Sequence, residues 1–290
     1  LDLFLLAAFG GLYSVPLYAL IQERTEPAFR SRIIATNNIL NAIFMIVSAL
    51  LAMLLFAQGM SVAGVLLVTG LLNILVAVYI YCITPEFLMR FLTWMLINVG
   101  YRIKAKGLEN IPDKGAALLI CNHVSYVDAL IIAGTCRRPV RFVMDHSIFK
   151  IPLLGFIFRT AKAIPIAGKN EDEVIKEKAF AEVKQALLDG DIVVIFPEGK
   201  LTTTGSMNEF RPGMLRILAD TPVPVIPSAL RGLWGSFFSR TVDGRAFKRF
   251  RGLWNKVEWE IAPVMAVESF DLRAAETLIR TMAEQGPSTA

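Results

Sequence analysis

Charge is almost absent from the first third of this chain. Of its 30 lysines and arginines and its 25 acidic residues, only Asp2, Glu23, Arg24, Glu26, Arg30 and Arg32 precede residue 86. A segment that poor in charge cannot cover a water-soluble surface, so it must bury itself in another medium. Three apolar runs, 1–22, 33–57 and 62–83, each reach the length needed to cross a bilayer as a helix, about 20 residues. The rest of the chain has ordinary charge density and holds the whole net charge of +5, because residues 1–85 balance. A chain 54% apolar and 19% charged is therefore neither one soluble domain, nor disordered, nor a nucleic-acid-binding module. It reads as an α-helical transmembrane segment of three spans followed by a globular domain.

The loop at 23–32 carries Arg24, Arg30 and Arg32, the turn near 58–61 carries no basic residue, and Arg90, Arg102, Lys104 and Lys106 follow the third span. Positive residues stay on the cytoplasmic side, which places loop 23–32 and everything after residue 84 inside. Asn37, Asn38 and Asn41 near the start of the second span suit hydrogen bonds between helices or a transport path. A span begins at Leu1 with no charged region before it, so residue 1 reads as an internal cut, not a signal peptide. Cys82, Cys121 and Cys136 are odd in number and lack metal-site spacing, which fits a reducing compartment.

The expected organisation is transmembrane helices over 1–84, an interfacial helix or linker over 85–106, and a second domain over 107–290. Residues 86–100 combine Phe87, Met89, Phe91, Trp94 and Met95 with Arg90, which suits a helix in the headgroup region or one buried in the next domain. Short strands are then expected at 102–107, 116–121, 139–145, 162–167, 191–196, 223–230 and 256–264. Between them 125–136 and 147–161 read as helical, and 170–190 as an amphipathic helix capped by Asn170, with Ile175, Ala179, Val183 and Leu187 as its stripe. This alternation predicts an α/β domain with a central sheet flanked by helices.

Two polar clusters follow apolar strands, where open α/β sheets usually place their sites. In the first, Asn122-His123-Val124-Ser125-Tyr126-Val127-Asp128, a histidine followed by a carboxylate can act as a general base. The imidazole takes a proton, and the carboxylate sets its tautomer and supports the imidazolium. Ser125 and Asp128 also have capping-box spacing, so both could simply start the helix. His146, the other histidine, reads as peripheral. The second cluster, Phe196-Pro197-Glu198-Gly199-Lys200 with Thr202, Thr203 and Thr204, offers backbone N–H groups, a cation and hydroxyls, which suit an anion such as phosphate or make a plain surface turn. Basic residues at 240–256 (Arg240, Arg245, Lys248, Arg249, Arg251, Lys256), mixed with Phe247, Phe250 and Trp254, face either anionic headgroups or water.

In this order the two clusters resemble the glycerolipid acyltransferase family, whose signatures are Asn-His-x4-Asp and Phe-Pro-Glu-Gly. The stretches 147–166 and 223–230 are similar to two further blocks of that family. FPEGKLTTTGS is most similar to bacterial 2-acylglycerophosphoethanolamine acyltransferases, and the three spans resemble the last helices of a major-facilitator lysophospholipid transporter, to which such domains are fused. The resemblance implies an O-acyltransferase of the bacterial inner membrane with its catalytic domain in the cytoplasm. His123 and Asp128 would be catalytic; Asn122, Ser125, Phe196, Pro197, Glu198, Gly199, Lys200, Thr202 and Lys169 would bind substrate. Acyl-CoA or acyl-carrier-protein would be the co-substrate, with no metal or other cofactor. Membrane lipid, the acyl donor and further upstream transporter helices would be its partners. One departure stands out: lysophosphatidate-using members usually carry an arginine after the Ile-Pro-Val/Ile strand, whereas here Ala167, Gly168 and Lys169 follow Ile164-Pro165-Ile166, and lysine lacks the bidentate fork. That favours a headgroup-bearing lysophospholipid as acceptor. The alternatives are a 1-acylglycerol-3-phosphate acyltransferase and a non-catalytic lipid-binding domain of a transporter.

Overall fold

The computed structural model describes residues 1–83, 85–168, 172–239 and 254–284. The chain divides into two compact units, Leu1–Leu88 and Met89–Ala290.

The first unit holds helices α1 (Asp2–Arg24), α2 (Arg30–Ala57) and α3 (Val62–Ile83). Windows within all three are long and apolar enough to cross a membrane. None of the described side chains in 1–83 is buried, and Phe4, Phe44, Leu54, Leu67 and Leu75 are largely exposed. A surface of this composition suits contact with lipid. Asn37 and Asn41 on α2 both donate to Tyr18 Oη on α1, at 3.2 and 2.8 Å, so two of the three asparagine amides link helices.

In the second unit seven strands form one sheet: β1 (Tyr101–Lys106), β2 (Ala117–Cys121), β3 (Val140–Asp145), β4 (Ile164–Ile166), β5 (Ile192–Ile195), β6 (Val225–Arg231) and β7 (Asn255–Ile261). The order is β1-β7-β6-β2-β5-β3-β4, and every pair is parallel except β6 with β7. Strands β2 and β5 are central and covered on both faces, which is why they read as unbroken apolar runs. Their side chains alternate between two cores. Leu119, Cys121, Ile192 and Val194 enter one, with Ile131 and Ile132 of helix α5 (Asp128–Thr135). Leu118, Ile120, Val193 and Ile195 enter the other, with Ala179 and Val183 of α7 (Glu173–Leu188), Met214 and Leu218 of α8 (Gly213–Asp220), and Ile279 of α9 (Leu272–Glu284). Below the sheet, the Arg138 guanidinium donates to the carbonyls of Pro112, Gly115 and Gly190, each at 2.8 Å. It ties the loops that lead into β2 and β5 and leaves the opposite, carboxyl ends of these strands for a site.

Several expectations shift. Asn170 lies outside the described residues, and the N-cap of α7 is Asp172, whose carboxylate accepts from Val174 and Ile175 N–H. The 147–161 stretch divides into a 3-10 turn, His146–Lys150, and helix α6 (Pro152–Thr160), because Pro152 cannot continue the turn but suits a first helical position. Of the basic stretch, 240–253 lies outside the described residues; Trp254 is exposed, with the Arg102 guanidinium 5.8 Å from its ring centre. Helices α8 and α9 are additions to the sequence reading.

Helix α4 (Pro85–Gly100) runs directly into β1 and has two characters. Ile97 is 2% exposed and sits against Gly134 of α5, while Trp94, Leu96 and Val99 are each more than half exposed. A Cβ on Gly134 would lie 2.4 Å from Ile97 Cδ1. Gly134→Val is therefore expected to destabilise the domain by about 1–3 kcal/mol through overpacking. A thermal melt of the full chain checks this, and an unchanged midpoint would contradict the close approach.

Candidate active site

Strands β2 and β5 lie side by side in parallel, Ile120 opposite Ile195, so the segments that leave their carboxyl ends emerge together. One begins Asn122-His123, the other Phe196-Pro197-Glu198. The register of two buried strands thus brings residues 75 positions apart into contact.

His123 Nδ1 lies 2.9 Å from Asp128 Oδ2. The same oxygen accepts the backbone N–H of Val124 at 2.7 Å and of Ser125 at 2.9 Å. Asp128 is fully buried, and its imidazole partner is 22% exposed. With two N–H groups already on it, Oδ2 is an acceptor, so the imidazole proton sits on Nδ1 and Nε2 keeps its lone pair. That is the tautomer a general base needs. The His123 ring lies flat on Phe196, with centroids 4.1 Å apart and planes 15° from parallel, so its tilt is fixed as well. Only half of a capping box forms: Ser125 N–H reaches Asp128, but the Ser125 hydroxyl donates to Phe238 O. Helix α5 begins at Asp128 itself, with no side-chain cap.

The second cluster grips the main chain of the first. Glu198 is 1% exposed. Its Oε1 accepts His123 N–H at 2.7 Å, and its Oε2 accepts both the backbone and the side-chain N–H of Asn208 at 2.7 and 2.8 Å. Burial pushes the Glu198 carboxyl above the usual carboxylate range, and these hydrogen bonds pull partly against it. On the other side of the same residue, Thr202 N–H donates to His123 O at 3.1 Å. His123 is thus held through both its N–H and its carbonyl.

Four residues expected at the substrate have hydrogen-bond partners within the protein. Both Glu198 oxygens are occupied. Asn122 is 2% exposed and pairs with Leu230 of β6 in both directions, donating to its carbonyl and accepting its N–H, which lengthens the β2–β6 ladder by one residue. Ser125 is buried on the Phe238 carbonyl. The Thr202 hydroxyl donates to Ser206 O and accepts from Gly205 N–H. Polar residues at a strand end look like ligands in a sequence, but here unpaired backbone claimed them first. Of the remainder, Phe196 carries the histidine ring, Pro197 is buried, and Gly199 and Lys200 are exposed. Lys169 lies outside the described residues. Asn208 and Phe238 had no sequence signal, because both act through contacts far along the chain.

Cys121 is buried at the end of β2, and burial raises its thiol well above the ordinary range, so it stays protonated and is no nucleophile. His146 lies on the 3-10 turn with Nδ1 4.0 Å from Asp145 Oδ1. Among the described residues no group of histidine, cysteine and acidic side chains is arranged to hold a metal ion.

Glu198→Ala would strand three N–H donors, at about 1–3 kcal/mol for each buried donor left unpaired. The expected result is a lower melting midpoint and faster amide exchange at His123 and Asn208. Unchanged exchange at both amides would contradict the clasp.

Residues 102–231 match the family model described as Acyltransferase. A 1-acyl-sn-glycerol-3-phosphate acyltransferase from Pseudomonas aeruginosa is 26% identical over 207 residues, covering 68% of this chain and 76% of its own. One from Cocos nucifera is 33% identical over 146 residues, covering 49% of this chain and 44% of its own. This chain spans about half the length of most of the curated relatives it matches. The crystal structure of the 1-acyl-sn-glycerophosphate (LPA) acyltransferase PlsC from Thermotoga maritima superposes with a TM-score of 0.50 at 23% identity, covering 63% of this chain and 70% of that one, a likeness of fold. The segment similar to the Acyltransferase family, residues 102–231, holds both clusters.

Proposed function

We propose that this chain is a membrane-bound O-acyltransferase that moves an acyl group from a thioester, acyl-CoA or acyl-carrier-protein, to the free hydroxyl of a lysophospholipid. The observation that carries the reading is the 2.9 Å contact between His123 Nδ1 and Asp128 Oδ2, which leaves Nε2 as a proton acceptor. In this reading Nε2 takes the proton of the acceptor hydroxyl as its oxygen attacks the thioester carbonyl carbon. Asp128 supports the imidazolium that forms. The tetrahedral intermediate then breaks its C–S bond, and the leaving thiolate takes the proton back from Nε2. The product is an ester, the by-product a thiol, and the histidine ends neutral. Glu198 and Thr202 position the base, and Lys200 is the group from the predicted binding set that faces outward to meet a phosphate.

The membrane setting is part of the proposal. Three apolar helices precede the domain, and α4 presents Trp94, Leu96 and Val99 outward, a surface suited to a lipid headgroup region. The arginines of loop 23–32 favour a cytoplasmic domain on a bacterial inner membrane. The texture of the three helices supports their reading as the end of a major-facilitator lysophospholipid transporter. A second reading, with lysophosphatidate as acceptor, is favoured by the printed names of the relatives. The non-catalytic alternative gives no use to an oriented His–Asp pair.

General bases contribute about 10²–10⁴-fold, so His123→Ala in the full chain is expected to lose at least that factor in acyl transfer while remaining folded. Near-normal transfer by a folded His123→Ala chain would sink the proposal. Asp128→Asn keeps an oxygen for the Val124 and Ser125 N–H groups but no charge for the imidazolium. It should lower kcat at least about 10²-fold with little change in melting midpoint; a purely structural Asp128 predicts intact turnover. With a labelled acyl thioester, faster acylation of lysophosphatidylethanolamine than of lysophosphatidate supports the headgroup-bearing acceptor, and the reverse order establishes the second reading.

A further inference from the structure

Asn208 supplies two of the three donors around Glu198, yet its own segment, 207–210, belongs to no helix or strand. What holds that segment comes from the far end of the chain. Met207 and Phe210 sink their side chains into the core that also holds Ala275, Ile279 and Met282 of α9. Asn208, between them in sequence, turns to Glu198. One pair of α9 side chains ties down the main chain. Glu276 Oε2 accepts Phe210 N–H at 3.4 Å, the Arg280 guanidinium donates to Met207 O at 3.0 Å, and the two side chains meet each other at 3.0 Å. Helix α9 is itself fixed to β6, where the Arg231 guanidinium donates to Met282 O.

As a source of stability this pair is poorly placed. Glu276 is 6% exposed and sits on the buried stripe of α9, where well-packed apolar side chains are often as good or better. Its second cation, Arg273, is 73% exposed, and pairs with such surface charges contribute little. What the pair provides is direction. Apolar contact is non-directional, so the Met207 and Phe210 side chains alone would leave the turn of the segment open. A carboxyl on one N–H and a guanidinium on one carbonyl, three residues apart, decide which peptide groups face α9 and so which way Asn208 faces. From Asn208 the constraint passes to Glu198 Oε2, and from Glu198 Oε1 to His123 N–H.

We propose that Glu276 and Arg280 are positioning residues for the base: through segment 207–210 and Asn208 they set the place of Glu198 and hence of the His123 imidazole. This rests on the acyltransfer reading above and adds to it a pair that lies outside the segment similar to the Acyltransferase family. Both act through Asn208 and leave proton transfer to His123.

The test is a double-mutant cycle in the full chain in detergent, each variant assayed well below its own melting midpoint. Arg280→Met keeps the apolar stem of a side chain that is 34% exposed and removes its donors. Misplacing a reacting group by about 1 Å costs up to about 10²-fold, so Arg280→Met is expected to lower kcat about 10- to 100-fold while the KM for each substrate stays the same. Arg280→Lys should recover part of the loss. Arg273→Ala removes the exposed partner of Glu276 and should turn over normally. In an Asn208→Ala background, Arg280→Met should cost less than about twofold more, because both act on one path. An unchanged kcat in Arg280→Met, or a loss that multiplies fully with that of Asn208→Ala, would overturn the proposal. Amide exchange separates it from the acyltransfer reading. If the wild type transfers no acyl group, that reading fails. Faster exchange at Asn208 and His123 in Arg280→Met but not in Arg273→Ala then upholds the link from α9, and unchanged exchange overturns it.

Discussion

Glu198 and His123 meet at 2.7 Å, carboxylate oxygen to main-chain N–H, inside a shell where the glutamate is 1% exposed. A carboxylate taken that far from water is unstable unless donors surround it. Three N–H groups do so, one from His123 and two from Asn208. The donors cannot leave without stranding the charge, and the charge cannot leave without stranding the donors. This mutual need fixes the end of β2 against the turn after β5. Everything else at the site follows from it: the Thr202 bond to the His123 carbonyl, the Phe196 ring beneath the imidazole, and the exposed Gly199–Lys200 edge.

The sheet makes that contact possible. Parallel pairing of β2 with β5 delivers two loops to one end, and Arg138 closes the other end by gathering three carbonyls. Helix α9 adds support from beyond the matched family segment. Arg280 donates to Met207 O and pairs with the buried Glu276, which accepts Phe210 N–H. The loop that supplies Asn208 is thereby held from behind, so a helix remote from the His123–Asp128 pair helps set the donors around Glu198.

Much of the architecture was legible because it depends on local pattern. The strands β2 and β5 are unbroken apolar runs because both their faces are buried. The His–Asp pair was legible because the two side chains meet within one turn of chain. The rest depends on contacts that no local pattern encodes. Asn122, Ser125 and Thr202 have the chemistry of ligands, yet Leu230, Phe238 and Ser206 engage them. Glu198 reads as a substrate group and is a clasp. Helix α9 was hidden because its buried stripe, Ala275, Ile279 and Met282, shares that face with Glu276. Helix α8 was hidden by Pro212 and Gly213 at its start, residues that signal a turn.

The account rests on a neutral His123 imidazole with its proton on Nδ1 and its lone pair on Nε2. The chain contains two histidines, so ¹⁵N labelling of histidine in the full chain gives a spectrum that a His146→Gln variant can assign. At a pH where the imidazole is neutral, the account predicts a protonated Nδ1 and an unprotonated Nε2 for His123, with this preference lost in Asp128→Asn. A His123 that carries its proton on Nε2, or whose tautomer is indifferent to Asp128, would contradict it.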